Sequence, residues 1–107
     1  MNTFDNREKA AEAFFAASAE NEFKARARRD KLVGNWAAGL LGLKGDDVPA
    51  YAKSLVVADL DEPGDGDVIA KLAKDFAAKG VKVSVQDIEQ ALSEKMAEAI
   101  AQIKAGT

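Results

Sequence analysis

Five acidic side chains surround a Pro-Gly turn, and carboxylates in such a string are the residues of this chain best suited to bind a cation. They are Asp59, Asp61, Glu62, Asp65 and Asp67. A calcium-binding EF-hand loop needs glycine at its sixth position and a bidentate glutamate at its twelfth. A loop that begins at Asp59 has Gly64 in the sixth position but Ala70 in the twelfth, so the closing carboxylate is missing. We therefore predict no metal site, and we interpret Asp65 as the cap of a following helix.

A basic run, residues 24–31, is the second group of side chains that could bind a ligand or a partner. Its sequence, KARARRDK, holds five positive charges and one negative charge. Residues 46–67 hold seven acidic side chains and Lys53, so the two segments carry opposite net charges. One interpretation is that they form solvated faces that attract each other within the monomer, which is the usual role of a charge run. The other is that the basic run docks a partner, and the residues alone leave both interpretations open.

Composition excludes several classes of chemistry. The chain has 107 residues, with no Cys and no His. It therefore lacks disulfides, thiolate nucleophiles, Cys-type zinc sites and the imidazole groups best suited to proton transfer near neutral pH. No string matches a phosphate-binding loop, and no pair of carboxylates stands in a recognisable pocket sequence. We predict that the protein is not an enzyme and uses no cofactor.

Neither a secretory signal nor a membrane-spanning segment is expected. The first residues, MNTFDNREKAAEAFF, include Asp5 and Glu8 and lack an apolar stretch bounded by a cleavage site. No run approaches the roughly 18 uninterrupted apolar residues of a spanning helix. We expect a cytoplasmic protein that does not insert directly into the membrane. The formal net charge of −3 also disfavours general affinity for nucleic acid.

The spacing of apolar residues predicts an all-α protein with four helices in a bundle-like domain. Only two prolines interrupt a chain rich in Ala, Lys, Glu and Leu, which are good helix formers. The expected helices run from residue 5 to 41, from Asp46 or Asp47 to the turn at Pro63, from that turn to Gly80, and over residues 85–104. The predicted core consists of larger apolar residues at helical spacing: Leu32, Trp36, Leu40, Leu55, Leu72, Phe76, Val85, Ile88, Leu92 and Ile100.

The first half of the long first helix differs from the rest of the chain. Apart from Phe4, Phe14 and Phe15, its apolar residues are mostly Ala, which removes little area from water on packing. We therefore expect an N-terminal arm, residues 1–18, that is helical but mobile, followed by a four-helix domain over residues 19–107. Such an arm is suited to enter a groove of a partner, with Phe14 and Phe15 as its anchors.

Three segments of the chain resemble one family of regulatory subunits. They are FDNREKAAEAFF at 4–15, EFKARARRDKLVGNWAAGLLGL at 22–43 and YAKSLVVADLDEPGDGDVIAKLAKDF at 51–76. In the same order and over nearly the whole chain, they are similar to the zeta subunits of alphaproteobacterial F-type ATP synthases. The specific strings are the FDxRE start and the ARRxxLxGxWAAxLLGL block, and Gly34 and Trp36 belong to that block.

The resemblance implies an inhibitor of ATP hydrolysis that binds the alpha, beta and gamma subunits of the catalytic sector and is thereby peripheral to the inner membrane. In this family the arm enters a catalytic alpha/beta interface and stops rotation in the hydrolytic direction. Together with the basic run, this gives the candidate partner-binding residues: Phe4, Asp5, Arg7, Glu8, Lys9, Glu12, Phe14, Phe15, Lys24, Arg28 and Arg29. Phe23 matches a further aromatic position of the family.

A different class of function stays open from the residues alone. Lys24, Arg26, Arg28 and Arg29 could serve a small helical adaptor that associates with nucleic acid. Trp36 could then stack on bases, although its place on the apolar stripe favours the core. Salt-dependent binding to duplex DNA would distinguish this adaptor from the inhibitor.

Overall fold

A computed structural model describes residues 19–61 and 64–106. These residues form four α-helices and no strand: α1 (Ala19–Leu41), α2 (Asp47–Asp61), α3 (Gly66–Ala78) and α4 (Val85–Lys104). The prediction of an all-α, four-helix fold is confirmed. The predicted mobile arm, residues 1–18, lies outside the described residues.

Local signals in the sequence set the ends of α3 and α4. The Ser84 hydroxyl accepts a hydrogen bond from the Asp87 N–H at 3.0 Å, and the Asp87 carboxylate accepts one from the Ser84 N–H at 3.1 Å. This reciprocal capping box starts α4 at the following residue, as predicted. Gly80 has a φ of 69°, and this left-handed turn lets the Val81 N–H donate to the Phe76 carbonyl at 2.9 Å. Gly80 therefore ends α3 as its sequence context predicts.

The core lies where α1 meets the other three helices, and α1 packs most extensively against α2 and α4. Its buried side chains are Val33, Ala37, Leu41, Leu55, Val68, Leu72, Phe76, Ile88 and Leu92. Trp36 is partly buried against this core, and its ring meets that of Phe76 edge to face with centroids 5.7 Å apart. The predicted core position of Trp36 is confirmed.

Three of the predicted core residues lie outside the core. Leu32 is only partly buried and does not belong to the core cluster or to the side chains packed against it. Leu40 is 44% exposed, because its neighbour Leu41 takes the inward position and one residue along a helix rotates the side chain by about 100°. Val85 is 50% exposed, because it is the first residue of α4 and helical side chains tilt toward the N-terminus, here past the end of the core.

A glycine allows α1 and α2 to cross in backbone contact. A Cβ placed on Gly34 would lie 2.5 Å from Ala52 Cα and 2.8 Å from Ala52 Cβ, both far inside ordinary contact distance. Ala52 itself is 4% exposed. The glycine of the family-specific block is thus required by the approach of the two helices, and this close crossing fixes how the charged parts of α1 and α2 meet.

Candidate partner-binding surface

The basic run lies in the N-terminal half of α1, where the helical period divides its side chains between two faces. Lys24, Arg28 and Lys31 are separated by four and three residues and share one face. Arg26 and Arg29 point the other way and reach carboxylates of the acidic segment. The predicted attraction between the two charged segments is therefore confirmed. It is made by one face of the basic run, and some of the paired side chains are buried.

The outward face lines a groove that we call the basic groove. It is an open depression of about 580 Å³ between the start of α1 and the end of α4. Its lining residues are Phe23, Lys24, Ala27, Arg28, Lys31, Ile103 and Gly106. Phe23 is 60% exposed and is the one aromatic residue among the exposed large apolar side chains of the described residues. The groove therefore combines an aromatic side chain with three cations.

Two contacts between described residues involve the cations of this groove. Lys24 forms an ion pair with Glu20 at 3.0 Å, and both side chains are more than half exposed. Such exposed pairs contribute little to stability. Arg28 donates a long hydrogen bond of 3.4 Å to the Gln102 side chain of α4. Both cations are thus placed beside the groove without being buried in the domain.

On the inward face, Arg26 joins α1 to the end of α2 and to the loop before α3. One of its terminal nitrogens, Nη2, donates to Asp59 Oδ1 at 2.8 Å and to the Gly64 carbonyl at 3.0 Å. The same nitrogen lies 3.4 Å from Asp65. Arg26 turns to these partners across the helix crossing and not to Glu22, which lies four residues before it in α1.

Arg29 is more deeply placed, with a side chain only 3% exposed. Its Nε and Nη2 donate to Asp30 Oδ1 at 3.0 and 2.9 Å, and its Nη1 donates to Asp65 Oδ1 at 2.8 Å. Its Nη2 also lies 3.6 Å from Asp59 Oδ2. We call these five residues, Arg26, Arg29, Asp30, Asp59 and Asp65, the charged cluster.

The two most enclosed carboxyl groups of the charged cluster have different acidities, because their neighbours differ. Burial raises the pKa of Asp30 to about 7, the nearby Asp59 carboxyl group acts in the same direction, and Arg29 opposes both. Burial also disfavours the charged form of Asp59, but the neighbouring Asp30 carboxyl group, the hydrogen bond from Arg26 and the charges of Arg26 and Arg29 outweigh it and lower the pKa of Asp59. Asp30 is therefore the member of this pair that holds a proton more strongly.

The structure separates the candidate residues predicted from the sequence. Lys24 and Arg28 lie together beside the basic groove. Arg29 does not join them: its guanidinium is enclosed by carboxylates, which leaves it no surface for a partner in the folded domain. The candidates between Phe4 and Phe15 lie outside the described residues. Ile103, which completes the groove, was not predicted because only tertiary packing brings the end of α4 beside α1.

The acidic string around the turn does not form a metal centre within residues 19–61 and 64–106, where no group of three or more potential ligands is arranged around one point. Asp59 and Asp65 instead neutralise arginines. Asp65 does occupy the N-cap position of α3, as predicted, but its side chain makes no capping hydrogen bond because it is bound to Arg29. None of the described helices is long and apolar enough to cross a membrane.

These features define a small all-α domain with a cationic groove beside its first helix and an internal cluster of paired charges. A family model for ATPase inhibitor subunit zeta matches residues 1–102, and the chain belongs to that family. A protein structure solved by solution NMR has the same fold, with a TM-score of 0.71 and 38% sequence identity over 80% of this chain and 98% of that chain. No protein with a curated description matches the sequence.

Proposed function

We propose that this protein inhibits ATP hydrolysis by the F-type ATP synthase, by inserting its N-terminal arm at a catalytic alpha/beta interface. The observation that carries this proposal is the match to the ATPase inhibitor subunit zeta model, which includes the arm as well as the domain. The protein acts as a regulatory subunit without catalytic activity of its own. It resides in the cytoplasm, peripheral to the inner membrane, because it is held there by the catalytic sector.

The difference in apolar residues between the arm and the domain supports this proposal. Among the described residues, the buried hydrophobic side chains lie between Ala25 and Ile100. Residues 1–18 have few large apolar side chains apart from three phenylalanines, so they gain little by packing on their own domain, which suits a segment that orders on a partner.

Within the arm, we assign the main contacts to Phe14 and Phe15. Large aromatic side chains that become fully desolvated dominate the energy of most interfaces. The charged candidates of the arm are Asp5, Arg7, Glu8, Lys9 and Glu12. We expect these to orient the arm between the alpha and beta subunits and beside gamma, with smaller individual effects on affinity.

We assign the basic groove to a second contact with the same catalytic head. Phe23 stands five residues after the end of the arm, so the groove is continuous in sequence with the inserting segment. Its three cations select an acidic surface, and its exposed aromatic ring selects an apolar side chain within that surface. The occupant we propose is an acidic, amphipathic segment of an alpha or beta subunit.

The adaptor alternative receives less support from the same geometry. Arg26 and Arg29, two of the four cations on which it depended, are bound by carboxylates of this chain. Binding to duplex nucleic acid requires cations that reach phosphates from one face. We therefore propose no nucleic acid as partner.

Inhibition of the purified cognate catalytic sector tests both contacts. We expect the full chain to inhibit ATP hydrolysis and a chain without residues 1–18 to lose inhibition while keeping its helical circular dichroism. The double variant Lys24→Glu and Arg28→Glu should weaken half-maximal inhibition by about tenfold, because two favourable charge contacts become repulsive.

The matched control for the groove is the double variant Lys79→Glu and Lys82→Glu, which changes the same charge in the exposed turn after α3. It should inhibit like the unmodified chain. If the chain lacking the arm still inhibits fully, the arm is not the inhibitory element. If both double variants weaken inhibition equally, the groove has no specific role.

A further inference from the structure

Asp30 is a fully buried acid that plays no part in the proposed function. It is 0% exposed, on the face of α1 that packs toward α2. Its Oδ1 accepts two hydrogen bonds from Arg29, but its Oδ2 has no hydrogen-bond partner. A buried carboxylate oxygen without a donor is costly, because it has lost water and gained nothing in exchange. This geometry calls for an explanation.

The charge balance of the charged cluster also favours a bound proton. Three carboxylates, those of Asp30, Asp59 and Asp65, face two guanidiniums, those of Arg26 and Arg29. With every acid ionised, the cluster carries one excess negative charge in a largely buried place. One bound proton removes that charge.

A proton on Asp30 also allows its Oδ2 to form a hydrogen bond. Asp59 is the neighbouring acceptor: its Oδ1 is bound to Arg26 at 2.8 Å, whereas its Oδ2 is 3.6 Å from Arg29, beyond a good hydrogen bond. An O–H on Asp30 Oδ2 supplies the missing donor to Asp59. Asp30 is the better proton carrier of the two, because Asp59 is already paired with Arg26.

We propose that protonated Asp30 stabilises the folded domain. Its carboxyl group holds a proton that it donates to Asp59, and loss of this proton weakens the packing of α1 against α2. The charged groups that face it are Arg26 and Arg29 from α1, Asp59 from α2 and, through Arg29, Asp65 before α3. This proposal does not depend on the role in ATP synthase.

The direction of the pH effect follows from the acidities. Because the pKa of Asp30 is raised on folding, the stability it contributes is fully present below the ordinary carboxyl pKa of about 3.9 and is lost as the pH rises through about 7. Asp59 acts oppositely, since its lowered pKa removes stability only as the pH falls below the ordinary range. The domain is therefore most stable in weakly acidic solution and less stable in weakly alkaline solution.

The first experiment follows the Asp30 carboxyl carbon of the full chain by NMR between acidic and alkaline pH. We expect its main titration step between about pH 6 and pH 8. A single step at or below about pH 5 would overturn the proposal. This measurement uses the unmodified protein, so it decides the question even if a variant fails to fold.

The second experiment compares thermal unfolding at pH 5.5 and pH 8.5. We expect the melting temperature of the unmodified chain to fall by about 5 °C or more over this range. Asp30→Asn should reduce this fall by more than half, because its neutral amide still donates to Asp59 and does not titrate. Asp46→Asn removes an exposed carboxylate and should keep the full fall. An Asp30→Asn variant with the same fall as Asp46→Asn would refute the role of Asp30.

Discussion

Replacing Gly34 by Ala tests whether the crossing of α1 and α2 depends on the absence of a side chain. The added Cβ would meet Ala52 Cα at 2.5 Å, Ala52 Cβ at 2.8 Å and Ala52 N at 3.3 Å. Two of these three atoms belong to the backbone of α2, so no rotation of a side chain relieves the contact. The helices must separate by roughly 1 Å to restore ordinary packing.

Two opposing terms set the magnitude of this effect. Alanine gains up to about 1 kcal/mol over glycine inside a helix. Overpacking a close-packed contact costs about 1–3 kcal/mol, and here the separated helices also lose contacts around Leu55 in the core. We expect Gly34→Ala to lower the free energy of unfolding by about 1–2 kcal/mol, equivalent to several degrees in melting temperature.

Gly39→Ala is the matched control, because Gly39 lies in the same helix with no atom within 4 Å of an added Cβ. It should be neutral or stabilise the protein by up to about 1 kcal/mol. Urea unfolding monitored by circular dichroism measures both variants against the unmodified chain. A Gly34→Ala variant at least as stable as Gly39→Ala would show that α1 and α2 do not meet as described.

Two further changes separate the core from the interface. Trp36→Ala should lower the free energy of unfolding by about 3 kcal/mol, since a large ring packed on the core is removed, and unchanged melting would place Trp36 outside the core. In the arm, the double change Phe14→Ala and Phe15→Ala should weaken inhibition of the catalytic sector more than Arg7→Ala does. Helicity should be retained, because Ala is a good helix former. An equal effect of Arg7→Ala would mean that charge, not aromatic burial, anchors the arm.

Features encoded by neighbouring residues were the most predictable from the sequence. Ser84 and Asp87 form a capping box that needs no other part of the chain, so the start of α4 was correctly predicted. Gly80 likewise ends α3 through a bond between residues five apart. Apolar spacing predicted most of the core for the same reason, but it did not distinguish Leu40 from Leu41 at a helix end, where the extent of the neighbouring helices decides burial.

The partners of charged side chains were the least predictable. Arg29 and Asp30 precede Val33 by four and three residues, so they share its buried face, and this spacing was the available signal that they are internal. Their contacts nevertheless join residues about 30 to 40 positions apart, which no helical period specifies. The basic groove is similar, because Ile103 lies beside the first helix only after the last helix has packed.

The extensive packing of α4 on α1 has a consequence for synthesis of the protein on the ribosome. More than 40 residues separate the end of α1 from the start of α4, so α1 leaves the exit tunnel well before the helix that covers it has been made. At about 5–20 residues per second, this delay lasts several seconds. During that time the apolar face of α1 depends on α2 and α3 alone, or on a chaperone, and residues 1–18 have already left the ribosome while the core is incomplete.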